Sequence, residues 1–132
     1  MKAIDTNILV RFITKDDENQ AKLVYQLFKN TEQTEQKLFV PLLVVLEVIW
    51  VLQSVYEISD LEIVNTFSDL LLMPVLLFES EGLIHNFIDS ATHTKFDLSD
   101  LLIAHSINLS DCESIFTFDK KAAKFEYFEL LK

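Results

Sequence analysis

Short apolar runs that alternate with longer helical patterns are the feature that most constrains the fold of this chain. The short runs are KAI, KLFV, PVLLF and SIFTF. Between them lie stretches such as DDENQAKLVYQLFKN and DLEIVNTFSDLLL, whose apolar residues recur at spacings of three and four, as in amphipathic helices. Strands that alternate with helices usually pair in parallel. The pattern therefore predicts an α/β fold, with a mostly parallel sheet and helices on both of its faces.

Capping residues predict where several of these helices begin. Asp16 or Asp17 can cap the first long helix, and Pro41 stands where the next one can start. Ser59 and Glu62 have the spacing of a capping box. The stretch LLVVLEVIWVLQSV after Pro41 is apolar all round, which predicts a buried helix.

Length and composition predict one domain, residues 1–132, without a membrane span. No apolar run approaches the roughly 18 residues that a spanning helix needs. The lone Cys112 cannot form an internal disulfide, which favours a reducing cytoplasm. Mean hydropathy is +0.25, and we expect exposed apolar helix faces and a homodimer.

The net charge limits how this chain can hold a polyanion. Its formal charge is −10, from 21 acidic and 11 basic residues, and Arg11 is the only arginine. Such a surface repels nucleic acid, so any attraction must come from metals or from local basic positions. The basic positions that we single out are Arg11, Lys15, Lys120, Lys121 and Lys124.

Two aspartates follow predicted strands directly. Asp5 comes after the first strand and Asp119 after the fourth. Ligands of open parallel sheets bind beyond the carboxyl ends of the strands, where the strand order reverses. If the first and fourth strands are neighbours, Asp5 and Asp119 face one crevice. Each can instead be a turn or capping residue.

Glu47 and Asp100 are the other acidic candidates. Glu47 lies within the most apolar stretch, where an unpaired carboxylate is costly, although a Glu that reaches the surface is the alternative. Asp100 and Asp97 lie one turn apart at a predicted helix start, and Asp97 can be the helix cap or a ligand. Clustered carboxylates without paired Cys or His suit Mg²⁺ or Mn²⁺.

The stretches IDTNILVRF, PLLVVLEVIWVL, FDLSDLLIAH and IFTFDKKAAKF resemble, in order, the four acidic motifs of PIN domains. The likeness is nearest to the VapC-like ribonuclease toxins of toxin–antitoxin pairs, and it covers nearly the whole chain. It implies a three-layer α/β/α sandwich with strands one and four adjacent. The metal ligands that it implies are Asp5, Glu47, Asp100 and Asp119, and the supporting residues are Thr6, Asn7, Asp97 and Thr117.

The resemblance also implies an activity and partners. The expected reaction is hydrolysis of RNA by metal-activated water, which leaves a 5′-phosphate and a 3′-hydroxyl. The expected partner is a cognate antitoxin protein, with a short, partly disordered segment that can form an amphipathic helix with apolar anchors and that inserts one Arg or Lys into the site. Two alternatives remain: a non-catalytic protein-binding module of the same fold, and an aspartate-based phosphatase. The phosphatase requires a second Asp where Asn7 stands.

Overall fold

The computed structural model describes residues 1–132 and divides them into two compact units, Met1–Glu81 and Gly82–Lys132. Helices and parallel strands occur in both units. The elements of the first unit are β1 (Lys2–Ala3), α1 (Thr6–Thr14), α2 (Glu18–Gln33), β2 (Leu38–Val40), α3 (Leu42–Ser54), α4 (Asp60–Leu71) and β3 (Leu76–Phe78). Those of the second are α5 (Glu81–His93, which begins at the boundary), α6 (Leu98–Ser106), β4 (Ile115–Thr117) and β5 (Phe128–Leu130).

The sheet of the first unit has the order β1-β2-β3, and both of its ladders are parallel. Ala3 is in register with Phe39, and Phe39 with Leu77. Parallel neighbours need long crossovers, and the helices between these strands supply them. Parallel pairing also brings the carboxyl ends of β1 and β3 to one edge of the sheet.

The caps of this unit follow the signals in the sequence. Asp17 accepts a hydrogen bond from the backbone N–H of Gln20 at 3.0 Å and so caps α2. Ser59 accepts one from Glu62 N–H at 3.2 Å and caps α4, as predicted. Pro41 is the N-cap residue of α3 but provides no side-chain hydrogen bond. That bond comes from Glu79, whose Oε1 accepts from Leu42 N–H at 2.8 Å.

The prediction that α3 is buried on all sides is wrong. Val45, Val48, Ile49 and Leu52 are buried, whereas the opposite face of the helix is exposed to solvent. An apolar composition made the two faces indistinguishable in the sequence, because a hydrophobic stripe is visible only against polar residues.

The second unit contains one two-stranded ladder, in which β4 and β5 pair in parallel. Ile115 is in register with Phe128, and Thr117 with Leu130. The strand β5 was not predicted, because YFELL is short and its apolar and polar residues do not alternate clearly. The buried apolar residues of this unit include Phe87 of α5 and Leu101, Leu102 and Ala104 of α6.

The α/β class with parallel strands is confirmed. The ladders pair β1 with β2 and β4 with β5, so the expected adjacency of the first and fourth strands is not provided by backbone pairing and stays a prediction. No helix is both long enough and apolar enough to cross a membrane.

Candidate metal-binding site

Asp5 is the residue at which β1 ends and α1 begins. Its backbone is extended, and its Oδ1 accepts a hydrogen bond from Ile8 N–H at 3.1 Å, so it is the N-cap of α1. Ile4, directly before it, is buried and donates its N–H to the carbonyl of Phe39 at 3.0 Å. Strand pairing and helix capping therefore fix the Asp5 carboxylate at the edge of the sheet. The Asp5 carboxylate is thus both the cap of α1 and the group predicted to bind metal.

The two residues after Asp5 differ in exposure. Thr6 is buried at 8% exposure and Asn7 is exposed. Both belong to the first turn of α1, which agrees with a role in supporting the Asp5 turn. That role stays a prediction.

Glu47 is exposed, which contradicts the premise that it is a carboxylate trapped in an apolar interior. It lies four residues after Leu43 and three before Trp50, so the three side chains share one face of α3. Leu43 is 78% exposed and Trp50 58%. Glu47 thus stands in water between two large apolar side chains.

Asp97 and Asp100 lie at the start of α6. Asp97 is the N-cap residue, and its Oδ2 accepts a hydrogen bond from Asp100 N–H at 3.1 Å. Of the two roles left open for Asp97, the structure shows the cap. The Asp100 side chain is half-buried in the first turn, where a carboxylate complements the positive end of the helix.

Asp119 organises the turn after β4. Its Oδ1 accepts hydrogen bonds from the backbone N–H groups of Lys121, at 2.9 Å, and Ala122, at 3.1 Å. Its own N–H donates to Thr117 Oγ1 at 3.0 Å. Thr117 therefore orients the backbone of Asp119, and its supporting role at a metal site stays a prediction. Asp119 is also a turn-capping residue, the alternative that the sequence left open.

Three carboxylates of the second unit influence one another electrostatically. Burial raises the pKa of the Asp100 carboxyl above its ordinary value, and the negative charges of Asp97 and Asp119 raise that pKa further. A raised pKa means that ionising Asp100 costs free energy. A nearby cation lowers that cost, and oxygen donors of this kind are the ligands that Mg²⁺ and Mn²⁺ prefer.

The donor chemistry of these residues therefore fits a divalent metal. No group of three or more His, Cys, Asp or Glu side chains has the spacing of a metal site in the structure. The assignment of Asp5, Glu47, Asp100 and Asp119 as joint ligands accordingly stays a prediction. Asp97, Asp100 and Asp119 are brought near enough to interact, within the second unit.

Two of the basic residues predicted to contact RNA, Arg11 and Lys15, lie in the first unit. Arg11 is engaged inside the first unit: its guanidinium donates to Gln20 Oε1 at 2.7 Å, Asp16 Oδ1 at 3.3 Å and Tyr56 Oη at 3.2 Å. Its charge is paired with Asp16, which leaves little for a phosphate. Lys15 is exposed, and with Arg11 it lines a groove of about 630 Å³ between α1 and α2.

Lys120 and Lys121 are exposed in the turn organised by Asp119. Lys124 is also exposed, at the end of a single 3-10 turn that spans Ala122–Lys124. The ion pairs Arg11–Asp16 and Asp89–His93 do not involve these three lysines. Their contribution to RNA binding stays a prediction.

Glu79 is a residue that sequence reasoning missed. It follows β3 as Asp5 follows β1, and its carboxylate caps α3, the helix that carries Glu47. Its N–H donates to Val40 O at 2.9 Å, so the same residue extends the ladder between β2 and β3. The sequence contained a signal for Glu79, because it is an acidic residue directly after the predicted strand PVLLF, the same kind of position that Asp5 and Asp119 occupy.

A comparison with known protein families decides the identity of the fold. The family model of the PIN domain matches residues 2–126, which leaves only the first residue and the last six unmatched. The chain belongs to the PIN domain family. Its model spans both compact units, including all four acidic stretches. No curated protein matches the chain.

Membership in the PIN family confirms the α/β, PIN-like fold class that the sequence predicted. PIN domains are typically metal-dependent nucleases, and they usually bind divalent metals such as Mg²⁺. The matched family therefore favours hydrolase and nuclease chemistry over the phosphatase alternative. The match shows the PIN family but does not distinguish the VapC-like toxins within it.

Proposed function

We propose that this PIN-domain protein is a divalent-metal-dependent endoribonuclease and that Asp5, Glu47, Asp100 and Asp119 hold Mg²⁺ or Mn²⁺. The observation that supports it best is the raised pKa of Asp100, caused by burial and by the charges of Asp97 and Asp119. A bound cation would favour the ionised form of Asp100 and so offset the cost that burial and its two acidic neighbours impose. The family match over residues 2–126 supports the same chemistry.

The residues of the chain would divide the work as follows. Asp5 and Asp119 stand at strand ends, where backbone hydrogen bonds hold their carboxylates in place. Thr117 keeps Asp119 oriented through the hydrogen bond that it accepts. Asp97 holds the first turn of α6 and so positions Asp100. Preorganised carboxylates of this kind bind a cation without reorganising when it arrives.

The reaction needs no nucleophile from the protein. Asp5, Glu47, Asp100 and Asp119 would hold the divalent metal, which when bound would polarise the phosphodiester and lower the pKa of the attacking water. One of these carboxylates would accept the proton that the water loses. In-line displacement then leaves a 5′-phosphate on one product and a 3′-hydroxyl on the other.

The experiment is cleavage of an end-labelled RNA by the purified chain, with Mg²⁺, with Mn²⁺ and with EDTA. We expect cleavage only with metal, and products that a 5′-phosphate-dependent exonuclease degrades. Asp100→Asn should abolish cleavage, because it removes a ligand while the Asp100 N–H still donates to Asp97. Metal-independent cleavage, or products with cyclic phosphate ends, would contradict the proposal.

Two controls separate this proposal from its alternatives. Asp17→Asn changes an aspartate of equal type that caps α2 and has no proposed ligand role, so cleavage should continue. A small phosphomonoester is the substrate for the phosphatase alternative, and its hydrolysis in place of RNA would favour that reading. Absence of both activities, with metal bound, would favour a protein-binding module.

We further propose that the chain is the toxin of a VapC-like pair, located in the cytoplasm and inhibited by a cognate antitoxin. The support is the order of its four acidic stretches and the exposed apolar face at Leu43 and Trp50 beside Glu47. Ile49, the neighbour of Trp50 in the sequence, is fully buried and does not belong to this face. A helix with apolar anchors can lie across Leu43 and Trp50 and direct a cation at Glu47.

Expression of the chain alone should arrest growth of its host. A small reading frame encoded just upstream, which the proposal requires, should relieve the arrest when it is co-expressed. Binding between the two purified proteins should weaken as Mg²⁺ rises, since arginine and metal compete for the same carboxylates. Affinity that stays constant across a magnesium series would place the inhibitor elsewhere on the chain.

A further inference from the structure

Two large aromatic side chains are exposed beside the candidate catalytic residue Asp119. Phe116 is 66% exposed and Phe118 is 78% exposed. Single exposed apolar residues are ordinary on protein surfaces. Phe116 lies in β4, and Phe118 directly follows the end of that strand at Thr117. Exposure alternates along this segment, because Ile115 and Thr117 are half-buried while Phe116 and Phe118 are exposed, as expected for extended chain whose alternate side chains share a face. Both rings are therefore presented to water.

The backbone around Phe118 is held in one conformation. Thr117 accepts the N–H of Asp119, and Asp119 accepts the N–H groups of Lys121 and Ala122. On the preceding side, Phe116 lies within the ladder between β4 and β5. The carbonyl of Thr117 accepts the N–H of Leu131 at 2.8 Å, which extends that ladder towards Phe118. Binding of a partner to these rings would therefore order little additional backbone, which lowers the entropic cost of binding.

Charge is distributed unevenly along this aromatic face. Beyond Phe118 come Lys120, Lys121 and Lys124, all exposed. At the other end, Glu129 is in register with Phe116, and its Oε2 accepts a hydrogen bond from Ser114 at 3.1 Å. Phosphates are attracted to the lysine end and repelled at the Glu129 end. The segment from Ile115 to Phe125 carries three lysines and one aspartate in a chain whose net charge is −10.

A second copy of the chain fits this face poorly. A two-fold interface presents the same patch on both partners. Two such patches in contact would bring the lysines of both copies together, and like charges that meet at an interface cost several kcal/mol. Unpaired bases of RNA fit better, since every base has an apolar π-face that stacks on an aromatic ring while its phosphate contacts a cation.

We propose that Phe116 and Phe118 form a base-stacking platform that holds an unpaired stretch of the RNA substrate next to Asp119, with its phosphates on Lys120, Lys121 and Lys124. This inference rests on the proposed ribonuclease function and assigns the residues that hold the strand. It also explains how a strongly acidic chain can retain RNA: the bases contribute affinity that does not depend on net charge.

The test measures binding separately from cleavage. Fluorescence anisotropy with a labelled 12-nucleotide unstructured RNA in EDTA reports affinity alone, and cleavage in Mg²⁺ reports activity. We expect Phe118→Ala to weaken binding roughly five- to 150-fold, the range for loss of one stacked base. Phe118→Leu should weaken it nearly as much, because leucine keeps an apolar side chain but removes the π-face. Phe118→Trp should preserve binding.

Matched controls give each result a meaning. Leu72→Ala removes an apolar side chain that is 80% exposed on the first unit, and it should leave RNA affinity unchanged. Asp5→Asn should abolish cleavage while retaining binding in EDTA, so a failed nuclease assay does not count as a failed platform. A ribose-phosphate oligomer without bases should bind wild type and Phe118→Ala equally.

Several results would overturn the platform. One is equal RNA affinity for wild type, Phe118→Ala and Phe116→Ala, and another is a wild type that does not bind RNA in EDTA. A third is full binding by Phe118→Leu together with a lower molar mass in light scattering for Phe118→Ala, which would assign the face to a protein partner. Thermal melts of each variant verify that the fold is intact.

Discussion

The carboxylate of Asp97 accepts the backbone N–H of Asp100 at 3.1 Å, so the cap of α6 and a candidate metal ligand are joined in one turn. The same two residues repel each other electrostatically, and this repulsion, after burial, raises the pKa of Asp100. One side chain thus positions its neighbour and also makes that neighbour harder to ionise.

Replacing Asp97 by Asn separates these two effects. Asparagine caps a helix as well as aspartate does but carries no charge. We expect Asp97→Asn to lower the pKa of Asp100 towards its ordinary value of 3.8, measured by NMR titration of the carboxyl groups without metal. Asp97→Ala should have the same effect on that pKa and also cost about 1 kcal/mol of stability through loss of the cap. An unchanged pKa in both variants would leave burial and the charge of Asp119 as its causes.

Replacing Asp5 by Asn should abolish RNA cleavage without unfolding the chain. The side chain of Asp5 caps α1 through Ile8 N–H, and asparagine can accept the same hydrogen bond. The melting temperature should therefore change by a degree or two at most, while the metal loses a negative ligand. Cleavage and melting curves of the purified variant test both statements. Wild-type cleavage by Asp5→Asn would remove Asp5 from the set of ligands.

Replacing Glu47 by Gln should leave stability nearly unchanged and abolish cleavage. A buried charge at this position would have made the substitution stabilising, but the structure exposes Glu47 between Leu43 and Trp50. Exposed substitutions of this kind usually fall within about 0.5 kcal/mol. Urea unfolding in metal-free buffer measures the effect, and Glu62→Gln on α4 is an exposed control. A clear gain in stability would show that Glu47 is buried in solution.

His105 should make the chain less stable in mild acid. It is buried, its Nε2 lies 2.7 Å from Ser90 Oγ, and its Nδ1 has no hydrogen-bond partner. Burial lowers its pKa below 6.5, against the opposing charges of Glu126 and Asp89. The unfolded chain therefore binds a proton first, so the stabilisation is complete above pH 6.5 and is lost as pH falls from there towards the folded-state pKa.

Thermal melts between pH 7.5 and 5 measure this dependence on pH. His105→Phe should flatten the curve in this window, because the aromatic contacts with Phe125 and Tyr127 can persist without a titrating nitrogen. His93→Gln is the control, since His93 is exposed and pairs with Asp89 on the surface. A pH dependence that is identical in wild type and His105→Phe would exclude His105 as its source.

The chain should form a homodimer through apolar side chains of α3 and α4. Val55, the C-cap residue of α3, and Leu61 of α4 are exposed by 64% or more, and covering them removes apolar surface from water. Light scattering at micromolar concentration should give twice the mass of one chain, and Leu61→Glu should shift it towards one. The mass of a single chain for wild type would contradict this prediction.

The sequence by itself determined the class of fold and the order of its elements. Its apolar runs marked four of the five strands, and Asp17 and Ser59 marked helix starts, because capping and periodicity act over a few residues. The four acidic stretches were also sufficient to indicate the PIN family, which the match over residues 2–126 shows. These signals each depend on a few residues that are close together in the sequence, so they can be recognised without the structure.

Only the tertiary structure decided which side of each element meets water. LLVVLEVIWVL is apolar throughout, and packing of Val45, Val48 and Ile49 exposed Glu47 on the opposite face. IFTF has apolar residues at both alternating sets of positions, and the β4–β5 ladder left Phe116 and Phe118 exposed. Where every residue of a segment could be buried, its sequence contains no contrast between faces. The faces are then assigned by which neighbours pack against the segment, and that depends on residues far away along the chain.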